Sequence, residues 1–276
     1  MNAKSSLTIN DWLASTKQKL GKVGIETTEL DALVLMQDAL QQNKAFILAH
    51  SENVLTNKQL QFLEKNLARR LTHEPLAYIR GHAEFYGRDF LLDNHVLVPR
   101  PETETMIELL KQLTHKNIKL TIVDVGTGSG NIAITAQLEL SALIVYATDI
   151  DKKCLSVSKK NNRVFNTTVN FYHGDLLDPV ADQQIDIVLA NLPYVPNDFS
   201  INKAALKEPC IAIFGGKDGL DLYRHLFEQI RVLNHKPRHI LTESLPMQHT
   251  TLNKIAEQAN YKLTSTDDFI QIFSVA

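Results

Sequence analysis

The sequence predicts an α/β protein: a doubly wound parallel sheet in the larger part of the chain, with a small N-terminal helical bundle joined to it by a β-hairpin. Three observations predict it. From Leu120 onward, apolar β-branched runs alternate with helical segments, and continuous apolar strands separated by helices belong to a parallel sheet covered on both faces. The first eighty residues carry helix signals only. Between the two stands EFYGRDFLL (84–92), two short β-prone runs broken at Gly87-Arg88, the pattern of a hairpin. The expected domains are a bundle over 1–80, a hairpin linker over 81–97 and the sheet domain over 98–276.

In the bundle, Thr8 followed by Asp11 caps a helix entered at Trp12 and Leu13, and Thr56 followed by Gln59 forms a second capping box. Leu30, Leu33, Val34 and Leu40 mark an amphipathic helix between them. After Thr56, Leu60, Leu63, Leu67 and Leu71 recur at helical spacing until Pro75 ends the pattern. Residues 1–80 carry a net charge of only +2, so this is a bundle and not a basic arm. Lys65, Arg69 and Arg70 read as a solvated helix face. Pro101 and the acids that follow open a further helix, since proline at the first position and acids in the first turn suit a helix N-terminus. The expected strands are LTIVDV (120–125), LIVYAT (143–148), TVNFY (168–172), DIVLAN (186–191) and HILTE (239–243). The polar stretch 197–207 is the expected long loop, and Gly215-Gly216 and Asp218-Gly219 read as turns beside a helix.

With 276 residues, 44% hydrophobic and 22% charged, disorder and collagen are excluded and about two domains are expected. A net charge of −2 and a pI near 6.6 leave no global positive field for a polyanion. The two cysteines, Cys154 and Cys210, form no C-x-x-C, which argues against zinc and a disulfide frame and for a reducing, cytoplasmic setting. MNAKSSLTIND (1–11) has no apolar run after its lysine, and no stretch approaches the ~18–20 apolar residues of a membrane span, so neither signal peptide nor anchor is expected. The ten histidines show no metal-like spacing, and no metal is expected. His50, His73, His82 and His95 read as surface or packing residues.

Four stretches carry chemistry. Asp124-Val125-Gly126-Thr127-Gly128-Ser129-Gly130 follows a strand and precedes a helix. Its glycines let a ligand approach the backbone and expose N–H groups at the helix start. The third glycine comes one residue too early for the dinucleotide fingerprint, which disfavours NAD. Asp149 ends the next strand, 23 residues after Gly126, where a carboxylate can accept both hydroxyls of a ribose; taken alone it is equally a helix cap. Gly174-Asp175-Leu176 follows the third strand, at the sheet edge where the base of such a ligand would sit; alone, it is a turn.

The fourth stretch, Asn191-Leu192-Pro193-Tyr194, resembles the Asn-Pro-Pro-Tyr tetrad of methyltransferases that act on planar nitrogens. The resemblance implies that the Asn oxygen and the next backbone carbonyl accept the two N–H bonds of a target NH₂ while the aromatic ring packs on its plane. Leu192 stands where the tetrad has its first proline; the carbonyl survives without the fixed φ. Pro193 still restricts Leu192 to extended conformations.

Further blocks are similar to the release factor glutamine methyltransferases, the PrmC/HemK family. They are Glu74 to Gly81 (EPLAYIRG), Glu84 to Gly87, Val98 to Glu104 (VPRPETE), Glu208-Pro209 and Gly215 to Arg224. Together they reach from the bundle to the last helices. Glu243-Ser244-Leu245-Pro246 departs from the family's usual turn, so nothing functional is carried there. The resemblance implies a Rossmann-like class I methyltransferase sheet and S-adenosylmethionine as cofactor, leaving S-adenosylhomocysteine. The implied target is the side-chain amide of the glutamine in the Gly-Gly-Gln loop of class I peptide chain release factors, hence a role in translation termination. Asn191, Leu192, Pro193 and Tyr194 would be catalytic. Asp124, Gly126, Thr127, Gly128, Ser129, Gly130, Asp149, Asp175, Leu176 and Asn191 would hold the cofactor, and Arg100 and Glu102 the substrate. The chain would act as a cytoplasmic monomer without membrane or direct nucleic-acid contact. The alternatives are a methyltransferase for adenine N6 or cytosine N4, a ribosomal-protein glutamine methyltransferase, and a binding module that has lost catalysis through Leu192.

Overall fold

Thr8 and Thr56 each close a capping box. Thr8 accepts from Asp11 N while Asp11 reaches back, and Thr56 and Gln59 do the same. These caps begin α1 (Ile9–Lys22) and, after α2 (Thr28–Leu40) and α3 (Lys44–Ala49), α4 (Asn57–Leu71); α5 (Leu76–Arg80) follows. The computed structural model describes residues 7–114 and 119–276, so the reading of a missing leader falls partly on residues outside the described ones. The chain divides into two compact units, the first ending at Arg80 and taking in Lys203–Lys207, the second made of Gly81–Asn202 and Glu208–Ala276.

The first unit has its own core of Trp12, Leu20, Leu35, Met36, Ile47, Leu63 and Leu67. Two expectations need correction here. Leu30 is 59% exposed, and the buried face of α2 is built by Ala32, Leu33, Leu35 and Met36. Arg70 is not on a solvated face: it is buried, its Nε donates to Asp31 Oδ2 at 2.6 Å and its Nη1 to Glu74 O at 3.1 Å. Arg69 forks onto both Glu74 oxygens. A buried guanidinium with matched acceptors is the form in which Arg enters a core.

In the second unit, β1 (His82–Phe85) and β2 (Arg88–Leu91) pair antiparallel with Phe85 opposite Arg88. Tyr86 and Gly87, both at positive φ, therefore make the two-residue turn, and Arg88 starts the second strand. The hairpin is fastened by Asn161 of a later helix. The Asn161 Oδ1 accepts from Leu91 N at 2.8 Å, and its Nδ2 donates to Leu91 O at 3.0 Å and to Ser129 O at 2.8 Å. One buried carboxamide thus joins hairpin to glycine loop.

The remaining elements are α6 (Glu104–Leu113), β3 (Thr121–Val125), α7 (Asn131–Glu139), β4 (Ile144–Asp149), α8 (Lys152–Val164), β5 (Asn170–His173), β6 (Ile187–Ala190), α9 (Asp221–Val232), β7 (His239–Glu243), α10 (His249–Gln258), β8 (Tyr261–Asp267) and β9 (Ile270–Val275). A single 3₁₀ turn, Pro101–Thr103 with proline at its first position, leads into α6. The sheet order is β5-β4-β3-β6-β7-β9-β8. The five strands from β3 to β7 pair in parallel, and β9 joins β7 antiparallel. Among the described residues the chain therefore closes on an antiparallel strand pair, which the sequence reading did not include. Alternate strand residues feed two cores: Ile122, Val145, Leu189 and Leu241 on one face with α6 and α7, and Val123, Val188, Ile240 and Phe273 on the other with α9 and α10. The strand order reverses between β3 and β6, where Val125 pairs with Ala190. In sheets of this kind the crevice lies outside the strand carboxyl ends at that reversal.

Candidate active site

β3 delivers Asp124 into the protein. Its Oδ2 accepts from Thr127 Oγ1 at 2.6 Å and Ala133 N at 3.2 Å, closing the glycine loop onto α7, while Oδ1 has no partner. Burial pushes this carboxyl up to about 7 against those two bonds. Gly126 has φ 72°, and a Cβ there would stand 3.0 Å from Leu192 Cδ2; the loop needs glycine for both reasons. Gly128 N donates to Asp149 Oδ2 at 2.9 Å and Asp151 N to Asp149 Oδ1 at 2.8 Å. Each Asp149 oxygen holds one N–H and keeps a lone pair for a ligand hydroxyl. The cap of α8 is Asp151, which accepts from Lys153 N, so Asp149 is released from that duty. Burial raises the Asp149 carboxyl as well, against the bonds from Asp151 and Gly128.

A cavity of about 250 Å³ opens at this edge. Of the residues singled out from sequence, its wall includes Arg100, Gly126, Thr127, Gly128, Ser129, Asp149, Asp175, Leu176, Asn191, Leu192 and Pro193. Four are not on it. Asp124 lies beneath the loop, tied to Thr127 and Ala133. Gly130 is the N-cap of α7. Glu102 is exposed to solvent. The Tyr194 hydroxyl turns away and donates to Glu243 Oε1 at 3.0 Å. The wall also holds His95 and Cys154, which sequence reading set aside, and Thr103 and Ile211, which it did not single out as site residues. Cys154 Sγ contacts His95 O at 3.1 Å, and burial pushes its thiol up, so it stays protonated. Asp175 is oriented from α9, where His225 Nε2 lies 3.0 Å from its Oδ2.

The tetrad is held from several sides. Asn191 Nδ2 donates to Thr103 Oγ1 at 3.0 Å, leaving Oδ1 as the acceptor for a ligand. Leu192 N donates to Tyr223 Oη at 3.2 Å, a bond that proline could not make, and the Tyr223 hydroxyl is also bonded to the backbone oxygens of Ala190 and Glu243. Gln248 Nε2 donates to Tyr194 O at 2.7 Å. Gly215 and Gly219 back the tetrad: a Cβ would fall 2.2 Å from Pro193 O at the first and 2.0 Å from Tyr194 O at the second. They are close-approach glycines, and the turn reading alone missed that. Arg100 Nη2 donates to Glu208 Oε1 at 2.7 Å, while Glu208 Oε2 accepts from Val98 N at 2.9 Å. Glu243, buried at the end of β7, is pushed up to about 7 by burial, against the hydrogen bond from Tyr194 and the polar side chains of Thr103 and Asn191 that bear on it.

Among the described residues no group of three or more His, Cys, Asp or Glu is placed to hold a metal ion, and no helix is long and apolar enough to cross a membrane. The PrmC N-terminal domain family matches residues 11–81 and the methyltransferase small domain family residues 103–208. A release factor glutamine methyltransferase from Bacillus cereus is 32% identical, covering 90% of this chain and 89% of its own. One from Bacillus anthracis is 35% identical over 79% and 78%. Among solved structures, a methyltransferase from Pyrococcus furiosus aligns with a TM-score of 0.51 at 19% identity, over 76% of this chain and 98% of that one. This last likeness is one of fold.

Proposed function

The chain belongs to the release factor glutamine methyltransferase family, and we propose that it transfers a methyl group from S-adenosylmethionine to the side-chain amide nitrogen of the glutamine in the Gly-Gly-Gln loop of a class I peptide chain release factor. The observation that carries this reading is Asn191: its Nδ2 is committed to Thr103, so its oxygen is free at the cavity, beside the glycine loop. A carboxamide NH₂ presents two donors. Asn191 Oδ1 and Leu192 O supply two acceptors at one strand end, which orients the nitrogen and helps its delocalised pair localise toward the methyl group.

The cavity suits the cofactor. Asp149 faces it with a spare lone pair on each oxygen, and a Cβ at Gly128 would meet open space. The loop Gly126 to Ser129 would lie along the cofactor, Asp149 on its ribose hydroxyls, and Asp175 with Leu176 beside its base. When bound, S-adenosylmethionine supplies a methyl group already activated on sulfur, and the products are N5-methylglutamine, S-adenosylhomocysteine and one proton. The protein's own contribution is alignment, exclusion of water and fixed acceptors. Arg100, held by Glu208, stands on the cavity wall to meet a carbonyl of the incoming loop. Tyr194 fixes the tetrad through its hydroxyl bond to Glu243. The N-terminal unit, with its separate core, would grip the release factor. The reading carries with it a cytoplasmic monomer that needs no nucleic acid, in keeping with the net charge of −2.

The test is incubation of the purified chain with methyl-labelled S-adenosylmethionine and a purified class I release factor. Label is expected on the factor and lost when the Gly-Gly-Gln glutamine is replaced by alanine. Label on nucleic acid or on a ribosomal protein, or binding without transfer, would overturn the reading.

A further inference from the structure

A side-chain carboxamide is nearly symmetric in shape but opposite in chemistry at its two ends: Oδ1 accepts and Nδ2 donates. An Asn191 turned by 180° would fill the same space and present a donor to the two N–H groups of a target amide. Something must therefore fix its sense. We propose that Glu243 and Thr103 are positioning residues that set the orientation of the Asn191 carboxamide, keeping its oxygen toward the target amide. The inference rests on the glutamine methyltransferase reading and extends it to two residues outside the tetrad.

The argument follows the hydrogens. Thr103 Oγ1 accepts from Asn191 Nδ2 at 3.0 Å. A hydroxyl can accept or donate, so this arrangement persists only if the Thr103 hydrogen is drawn elsewhere. Thr103 is 1% exposed, which leaves little water to take it. Ala190 pairs with Thr242 across β6 and β7, so the next residues along, Asn191 and Glu243, stand at neighbouring strand ends. Glu243 Oε1 takes the Tyr194 hydroxyl at 3.0 Å, and Oε2 is buried with no partner. The Thr103 hydroxyl and the Asn191 amide both bear on this carboxyl. An ionised carboxylate only accepts, so it favours a Thr103 hydroxyl turned toward it that accepts from Asn191, which leaves Oδ1 facing the cavity. A protonated Glu243 loses this property, because it can donate to Thr103 and free the Thr103 hydrogen to turn toward Asn191. The charged and titratable groups bearing on Glu243 are Glu102 from the 3₁₀ turn before α6, Tyr194 from the tetrad and Tyr223 from α9. Both tyrosines are pushed above their ordinary range, so neither titrates near neutrality.

The experiment measures kcat for methylation of a release factor between pH 6 and 9, and the Kd of S-adenosylhomocysteine, for the full chain and for Thr103→Val, Thr103→Ser and Glu243→Gln. The native chain should lose activity as the pH falls, with kcat at pH 6 about tenfold below that at pH 8 for a carboxyl titrating at about 7. Thr103→Val keeps the shape but removes the acceptor and should lower kcat at least about tenfold; Thr103→Ser should retain most of it. Glu243→Gln should be as slow as Thr103→Val and flat with pH. All should bind S-adenosylhomocysteine within about threefold of the native chain. Native kcat in Thr103→Val, or a native pH profile in Glu243→Gln, would overturn the inference while the methyltransferase reading stood. Failure of the native chain itself to label the factor would overturn that reading and this inference with it.

Discussion

The Leu192 amide is the place where this chain departs from its family's tetrad, and the structure makes the departure measurable. Leu192 N donates to Tyr223 Oη at 3.2 Å in a site where both residues are buried. Tyr223→Phe would strand that N–H, together with the Glu243 backbone oxygen on which the same hydroxyl rests. Leaving a buried donor unpaired costs about 1–3 kcal/mol, so Tyr223→Phe should destabilise the second unit by about 2–4 kcal/mol in all. Leu192→Pro deletes the N–H and restores the family residue, at the expense of the Leu192 side-chain packing against Gly126. In the Leu192→Pro background nothing remains to strand at position 192, so Tyr223→Phe should cost less there by about 1–2 kcal/mol. The assay is a double-mutant cycle by urea unfolding, followed by far-ultraviolet circular dichroism. Equal costs of Tyr223→Phe in the two backgrounds would refute the claim that the tyrosine hydroxyl satisfies the Leu192 amide.

Three further outcomes follow from the same geometry. Asn191→Ala should lower kcat for release factor methylation by about 10²-fold with little change in S-adenosylhomocysteine affinity; near-native turnover would remove the residue from the mechanism. Arg70→Ala leaves Asp31 buried without its 2.6 Å partner and should cost the first unit about 3–5 kcal/mol. In that variant cofactor-product binding, whose wall residues all lie in the second unit, should persist at temperatures where Trp12 fluorescence already reports unfolding. Asp124 has its folded pKa raised from 3.8 to about 7, so the folded state binds more protons than the unfolded state between those values. The stability it contributes is full below pH 4 and lost as the pH rises through 7. Asp124→Asn should flatten that dependence, read as the urea midpoint at pH 5 against pH 8.

Much of this was legible in the sequence because the signals are local. Thr8 with Asp11 and Thr56 with Gln59 are capping boxes written within four residues, and both form. The strand cores from Val123 to Leu241 are uninterrupted apolar runs, and the glycine loop and tetrad lie at their ends. What could not be read depends on partners far apart in the chain. Arg70 finds Asp31 at 39 residues' distance, and composition alone makes such an arginine look solvated. Glu243 reaches Tyr194 across 49 residues because β6 and β7 are neighbours, a fact of strand order and not of local pattern. β8 was invisible for another reason: only Tyr261 of its residues is buried, so an edge strand carries no alternating stripe to detect.

The carboxyl ends of β3, β4 and β7 each place an acid in the protein: Asp124, Asp149 and Glu243, all buried and all with their carboxyls raised chiefly by burial. Stability alone would not select them, since a buried carboxylate must be compensated by hydrogen bonds that here are incomplete, with Asp124 Oδ1 and Glu243 Oε2 left unpartnered. What the three share is that an ionised carboxylate only accepts. Each stands against a group whose donor sense matters: Asp124 turns the Thr127 hydroxyl and the Ala133 N–H inward, Asp149 draws the Gly128 N–H across the loop, and Glu243 takes the Tyr194 hydroxyl. Acceptors fixed at strand ends give the loop and the tetrad a definite polarity before any ligand arrives. That is the form preorganisation takes when a reaction needs its hydrogen-bond acceptors set in advance.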